Sequence, residues 1–153
     1  MKKYLILLWM MVITLSCDKL PSNGDLDGQW QLMELNRKSS PTDEAYNEKS
    51  NVKDQKIYWR FQLDLLMIHT SKAKLNGRTN DTSARFRHQG GELQLTQTYI
   101  HEFDKDELIT DPNTTILESI GITGNTETFK VEQLNNERMV LVNNKKQLIF
   151  RKF

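Results

Sequence analysis

The sequence predicts an all-β fold, an antiparallel up-and-down β-barrel of about eight strands with one short helix. Three observations predict it: alternating apolar and polar residues over residues 56–70, a hairpin pattern around Gly90-Gly91, and three strand patterns with short turns at the C-terminus. The chain of 153 residues has the length of one domain and can bury its own core. We therefore expect a single barrel as the folded body.

The stretch "KIYWRFQLDLLMIHT", residues 56–70, predicts the longest strand. Its apolar residues recur at every second position, as in a strand with one buried face, and its length suits a curved strand that crosses the barrel from rim to rim. Leu66 and Ile68 add apolar groups on the second face, so we expect the far end to be covered on both sides. The predicted inward side chains are Ile57, Trp59, Phe61, Leu63, Leu65 and Met67.

Shorter patterns predict the remaining strands. "SARFRHQ" and "ELQLTQTY" flank Gly90-Gly91 and predict a hairpin, with Ala84, Phe86 and His88 on one face of its first strand. The segments "ETFKVEQL", "ERMVLVN" and "KQLIFRKF" are separated by Asn-rich turns and predict an antiparallel meander.

One segment, "TDPNTTILESIG", predicts a helix of two to three turns instead of a strand. Asp111 can cap the free N–H groups, Pro112 suits the first helical position, and Gly121 suits the C-terminal cap. Its apolar side, which carries Ile116, Leu117 and Ile120, needs cover across one open end of the barrel or against its wall. Residues 37–55 are polar and without clear period, which predicts a long loop with room for a helical turn.

The N-terminus has the pattern of an export signal. Lys2 and Lys3 precede an apolar run over residues 4–15, which is too short to span a membrane comfortably. The run ends in "TLSC", residues 14–17, which resembles the lipobox of bacterial lipoproteins. The resemblance implies that Cys17 receives acyl chains such as palmitate and becomes the first residue of the mature chain. The alternative is that Cys17 is the end of an ordinary signal, or a buried thiol.

This interpretation divides the chain into a signal peptide, residues 1–16, a flexible tether, residues 17–25, and the barrel, residues 26–153. The turn-rich "DKLPSNGD" suits a tether between a membrane and a folded body. We therefore expect a bacterial cell-envelope protein that contacts the outer membrane through the lipid on Cys17. The sequence is compatible with either the periplasmic or the surface face of that membrane.

Gly28-Gln29-Trp30 at the start of the first strand resembles the G-x-W motif of lipocalins. The layout as a whole is similar to the small lipocalin-like domains of bacterial lipoproteins. The resemblance implies that Gly28 and Trp30 close the base of the barrel and that Arg151, in "FRKF", packs across the indole. The alternative is a plain core tryptophan and a solvated arginine. The chain departs from lipocalins by lacking disulfide cysteines and by inserting a helix before the final meander.

Composition and motifs argue against several functions. The net charge of +1 and the scattered basic residues give no reason to expect a nucleic-acid partner. The sequence contains no nucleophile motif and no glycine-rich phosphate loop. The three histidines, His69, His88 and His101, lack the spacing of zinc ligands. We therefore expect neither an enzyme nor a metal or cofactor. The acidic residues over 102–111 lack the spacing of a calcium loop and indicate a solvated loop.

Two functions remain open. The first is a binding module that holds one small apolar or amphipathic ligand inside the barrel, lined by Trp59, Phe61, Phe86 and Tyr99. The second is a non-enzymatic interaction subunit of an envelope complex, in which those aromatic side chains simply fill the barrel. In the second case the long polar loop and the helix are the natural contact elements.

Overall fold

The computed structural model describes residues 23–72, 75, 77, 80–102 and 104–153. These residues form ten strands, of which eight close an antiparallel barrel. Each barrel strand pairs with its neighbour in the order β10-β9-β8-β6-β5-β4-β3-β1, and pairing of β1 with β10 closes the ring. The strands are β1 Gly28–Arg37, β2 Glu48–Asn51, β3 Ile57–Gln62, β4 Leu65–Thr70, β5 Asp81–Gln89, β6 Glu92–His101, β7 Asp106–Leu108, β8 Glu127–Leu134, β9 Arg138–Val142 and β10 Lys146–Lys152.

The two remaining strands lie outside the ring. β2 pairs with the second half of β1, and β7 pairs with the last residues of β6. The barrel has two ends, which different segments of the chain border. We call the end with the start of β1, the β3–β4 turn and the C-terminus the base, and the opposite end, where Arg37 pairs with Lys146, the upper end.

The predicted hairpin and the C-terminal meander are confirmed. β5 and β6 turn at Gly90-Gly91, where both glycines have positive φ, and β8, β9 and β10 follow one another as antiparallel neighbours. The predicted polar loop over residues 37–55 contains the short strand β2 and a single 3-10 turn at Lys53–Gln55.

The prediction of one long strand over residues 56–70 was wrong. The segment is a hairpin of β3 and β4 with a tight turn at Leu63-Asp64. Leu63 adopts a left-handed φ of 57° there, a conformation usually taken by Gly or Asn, so no glycine marked the turn in the sequence. The turn also changes which residues point inward: Leu66 and Ile68 are buried, whereas Met67 is exposed.

The predicted helix at residues 111–121 is also wrong, because no α-helix occurs anywhere in the described part of the chain. The segment forms tight turns and one 3-10 turn, Glu118–Ile120. Asp111 caps the backbone N–H of Asn113 as expected, but the Thr114 hydroxyl then accepts from the backbone N–H of Ile116. Such local side-chain bonds offer the backbone an alternative to helical pairing.

The folded body begins before the predicted boundary at residue 26. Residues 23–25 of the predicted tether are part of it, because Gly24–Leu26 forms a 3-10 turn and Leu26 is fully buried. Asn23 is joined to Asp27 by two hydrogen bonds. All eight barrel strands lie after Asn23.

Candidate functional site

The interior of the barrel holds a chain of aromatic rings. Trp59 lies 5.0 Å from Phe150 and 6.1 Å from Phe61 between ring centroids, and Phe61 meets Phe86 edge-on at 5.1 Å. Phe129 joins from the other side at 6.5 Å from Trp59. Three of the predicted lining residues, Trp59, Phe61 and Phe86, are thus brought together inside the barrel. Phe61 lies between the other two, against Trp59 on one side and Phe86 on the other, in the buried core.

Tyr99, the fourth predicted lining residue, does not join this group. β6 carries an extra residue opposite β5, between the pairs Ser83 with Tyr99 and Arg85 with Thr96, and Gln97 has a φ of 47° there. The bulge reverses the alternation, so that Thr98 and Ile100 are buried and Tyr99 is half-exposed. The prediction for Tyr99 failed because a bulge leaves no clear mark on a short alternating pattern.

The segment Leu117–Ile122, here called the plug, enters the barrel from the upper end. Its apolar side chains Leu117, Ile120 and Ile122 are fully buried in the same core as the aromatic rings. Trp59 Nε1 donates a hydrogen bond to the Ile120 carbonyl oxygen at 3.2 Å. This bond joins the plug to the interior aromatic residues. The plug therefore occupies the part of the interior next to Trp59.

Gly121 allows the plug to fit. Its φ is 95°, and a Cβ on this residue would lie 2.8 Å from Leu148 Cδ2 of β10. Both the left-handed backbone and the close approach to β10 require glycine at this position. Arg37 Nη2 also donates to the Glu118 carbonyl oxygen at 3.0 Å, which holds the plug against the rim.

A buried ion pair lies beside the plug. Lys146 Nζ lies 2.9 Å from Glu127 Oε1 and donates to Thr123 Oγ1 at 2.7 Å. The Glu127 carboxylate also accepts from Asn143 Nδ2 and from the Thr123 backbone N–H. Burial lowers the pKa of Lys146 below its usual value, and Glu127 opposes this shift. Nothing in the sequence marked this pair, because its two members belong to strands that look exposed by pattern.

Trp30 lies at the base of the barrel, where it pairs with Trp59 of β3 and Lys152 of β10. It is fully buried, and its Nε1 donates to the Leu26 carbonyl oxygen at 2.8 Å. The cation that covers the indole is Lys152, whose Nζ lies 4.4 Å from the ring centroid. Lys152 Nζ also donates to the Asp25 and Asp27 carbonyl oxygens, at 2.7 and 2.6 Å. Desolvation by burial lowers the pKa of Lys152, and the two aspartates oppose it.

The assignment of this role to Arg151 was therefore wrong. Trp30 pairs with Lys152 across β1 and β10, whereas Arg151 pairs with Gln31 and donates to Gln31 Oε1 at 3.2 Å. Neighbouring residues of a strand face opposite sides, so only one of the two cations can reach the indole. Gly28 has a φ of 111°, and a Cβ there would meet Lys152 Cε at 3.3 Å, which explains the glycine of the motif.

Several cavities lie on the outer surface. A groove of about 560 Å³ over β1, β9 and β10 is lined by Met33, Ile149, Arg138 and Arg151 among others. A second cavity of about 270 Å³ is lined in part by Met67, His69, Asp81 and His101. Both grooves are bordered by outward-facing side chains of the barrel strands.

Two histidine–aspartate pairs lie on this outer surface. His69 Nδ1 is 2.7 Å from Asp81 Oδ1, and His101 Nδ1 is 2.5 Å from Asp106 Oδ1. Within the described residues, no group of three or more His, Cys, Asp or Glu side chains is placed to hold a metal ion. The same part of the chain contains no helix long and apolar enough to cross a membrane. Cys17 lies outside the described residues.

The family model for lipocalin-like domains matches residues 10–153. The chain belongs to the lipocalin-like domain family. Members of this family generally have a binding fold without enzymatic activity.

The lipocalin-like domain also resembles two solved structures. One is a lipocalin-like protein from Bacteroides uniformis, with 21% identity and a TM-score of 0.57 over 85% of this chain and 100% of that one. The other is an uncharacterized protein from Bacteroides eggerthii, with 19% identity and a TM-score of 0.53 over 84% of this chain and 99% of that one. These likenesses show the fold. No curated protein matches the sequence.

Proposed function

We propose that this protein is a lipid-anchored component of the bacterial cell envelope whose barrel is a filled scaffold and whose binding surfaces lie on the outside. The observation that carries the proposal is the plug. Leu117, Ile120 and Ile122 are fully buried. The Ile120 carbonyl oxygen accepts a hydrogen bond from Trp59, which contacts three of the other interior aromatic rings. A ligand carrier of this fold needs the space that these side chains occupy.

The energetics of the plug favour a permanent filler over a lid. Each fully buried Leu or Ile side chain contributes about 1.5–3 kcal/mol of transfer free energy, so three of them favour the closed state by several kcal/mol. The bonds from Trp59 and Arg37 to plug carbonyls would also be lost on opening. A small apolar ligand would have to replace all of these interactions to enter.

The anchor part of the proposal is supported by the pattern at the N-terminus. The lysines, the apolar run and "TLSC" precede the barrel, whose first strand starts at Gly28, eleven residues after Cys17. A lipid on Cys17 would hold the barrel close to a membrane and leave its sides accessible to other envelope components.

Labelling in a bacterial host tests the anchor. The full chain and its Cys17→Ser variant are expressed with an alkyne-bearing palmitate analogue, and the N-terminal peptide is analysed by mass spectrometry. We expect an acylated N-terminal Cys17 and membrane fractionation for the natural sequence only. An unmodified cysteine, or a label retained by Cys17→Ser, would show that the anchor assignment is wrong.

Crosslinking in cells tests the use of the outer surface. A photoreactive amino acid at position 149, in the groove of about 560 Å³, is compared with one at position 105 in the exposed turn before β7. We expect a discrete adduct at position 149 that is lost in Cys17→Ser, and none at position 105. The same adducts at both positions would indicate non-specific collisions.

A further inference from the structure

Exposed apolar side chains gather at the base of the barrel around Arg60. Among the described residues, four large hydrophobic side chains are strongly exposed: Leu63 at 66%, Met67 at 46%, Leu108 at 43% and Phe153 at 68%. Met67 pairs directly with Arg60, and Leu63 continues the same chain into the β3–β4 turn. The Phe153 backbone N–H donates to Gln29, which pairs with Arg60 on the other side. Three of the four therefore share one surface.

An aromatic pair extends this surface. The Tyr58 and Phe153 rings meet edge-on with centroids 5.1 Å apart. Arg60 Nε donates to Gln29 Oε1 at 2.6 Å, and Gln29 is the residue whose backbone carbonyl accepts from Phe153. Aromatic, aliphatic and arginine side chains in one patch are the residue types that favour a membrane–water interface. We call Tyr58, Arg60, Leu63, Met67 and Phe153 the base patch.

Folding does not account for Leu63. Its φ of 57° is a left-handed conformation that is sterically unfavourable for a leucine, and its exposed side chain recovers little by packing. The equivalent β5–β6 turn uses Gly90-Gly91. A strained, exposed leucine that adjoins other exposed apolar side chains is typical of a contact surface.

The base patch lies where the chain enters the fold. Asn23 Nδ2 donates to the Leu63 carbonyl oxygen at 2.8 Å, so the start of the folded body touches the β3–β4 turn. Cys17 lies six residues earlier, and six residues span at most about 20 Å. A lipid on Cys17 would therefore keep Asn23, and with it the β3–β4 turn of the base patch, within about that distance of the bilayer.

We propose that the base patch docks on the lipid bilayer that holds the Cys17 anchor, with Leu63, Met67 and Phe153 in the interfacial region and Arg60 among the phospholipid phosphates. This inference rests on the proposed lipid anchor. Docking fixes the orientation of the barrel, with the base toward the membrane. The upper end, with the plug and the loop before β2, then faces away from it.

Chemical anchoring tests the docking independently of acylation in cells. The strands that close the barrel all lie within residues 28–152, so a chain that begins at Cys17 keeps every barrel strand. Cys17 is the only cysteine and can be coupled to a maleimide phospholipid in phosphatidylcholine–phosphatidylglycerol vesicles. If Cys17 is not acylated in cells, the proposed function fails while this measurement still reports on the base patch.

The readout is quenching of a tryptophan by brominated lipid chains. Phe153→Trp places the reporter in the patch, and Leu108→Trp is the matched control on β7. The remaining tryptophans, Trp30 and Trp59, are fully buried and common to both proteins. We expect quenching of Phe153→Trp to exceed that of Leu108→Trp by about twofold or more. Met67→Trp serves as a second patch reporter if Phe153→Trp does not fold.

A second substitution separates docking from folding. Leu63→Asn in the reporter protein relieves the turn, so we expect an equal or higher melting temperature together with reduced quenching. Equal quenching of the patch and control reporters, or quenching of neither, overturns the proposal. A dimer of the uncoupled chain in sedimentation, abolished by Leu63→Asn, also overturns it, because a second copy would then cover the patch.

Discussion

Replacing Lys146 with methionine tests how strongly the buried ion pair supports the upper end of the barrel. Lys146 is only 4% exposed, and it lies 2.9 Å from a Glu127 carboxylate that is itself buried. Removing one partner of a buried pair costs about 3–5 kcal/mol, because the other charge is left without compensation. Two donors to Glu127 remain, Asn143 Nδ2 and the Thr123 N–H, so we expect a loss near the lower limit, about 3 kcal/mol.

The corresponding change in melting temperature follows from the size of the fold. A folded body of about 130 residues has an unfolding entropy of roughly 0.27 kcal/mol/K, so a loss of about 3 kcal/mol lowers the melting temperature by about 11 °C. Thermal and urea unfolding followed by circular dichroism measure this loss. Lys145→Met at the exposed neighbouring position is the control, with an expected change within about 0.5 kcal/mol.

The double variant Lys146→Met/Glu127→Gln identifies the cause. It removes the unpaired carboxylate while keeping an oxygen for Asn143 or Thr123, so we expect it to be more stable than Lys146→Met alone. The reasoning is refuted if Lys146→Met costs less than about 1 kcal/mol. It is refuted equally if the double variant is no more stable than the single one, since the loss would then come from packing.

Two further substitutions test the ends of the barrel. Gly121→Ala should lower the free energy of unfolding by about 1–3 kcal/mol, because the left-handed φ and the contact with Leu148 both penalise a Cβ; an unchanged urea midpoint would contradict this. Lys152→Met should lower the free energy of unfolding by about 1–2 kcal/mol, because it removes the cation over Trp30. Arg151→Met should lower it by less than about 0.5 kcal/mol. Equal losses in thermal unfolding would contradict the assignment of Lys152 to the indole.

The sequence predicted the barrel because most of its strands are short, alternate regularly and end in recognisable turn residues. The Gly90-Gly91 hairpin and the Asn-rich turns of the meander are examples, and both are present. The β3–β4 hairpin was missed because Leu63 occupies a turn position that alternation alone cannot distinguish from a strand position. A two-residue turn then leaves an apparently continuous strand pattern.

The interior was predicted less completely than the fold. Trp59, Phe61 and Phe86 were found because they alternate within single strands, whereas the bulge at Gln97 moved Tyr99 out of the group. The identity of the cation that covers Trp30 depends on the register between β1 and β10. The alternation of residues within each strand does not determine this register. The sequence predicts a helix where the plug lies because capping residues and apolar spacing are shared by helices and compact turns.

Binding of an apolar probe to the interior tests the central claim most directly. A chain without its first 17 residues is titrated with a fluorescent fatty acid, and hydrogen exchange is followed at the plug amides, residues 117–122. Ile120→Ala, which opens a cavity beside Trp59, is the positive control. A filled barrel predicts no saturable binding by the natural sequence and measurable binding by Ile120→Ala. Saturable binding of one equivalent by the natural sequence, with faster exchange at the plug, would contradict it.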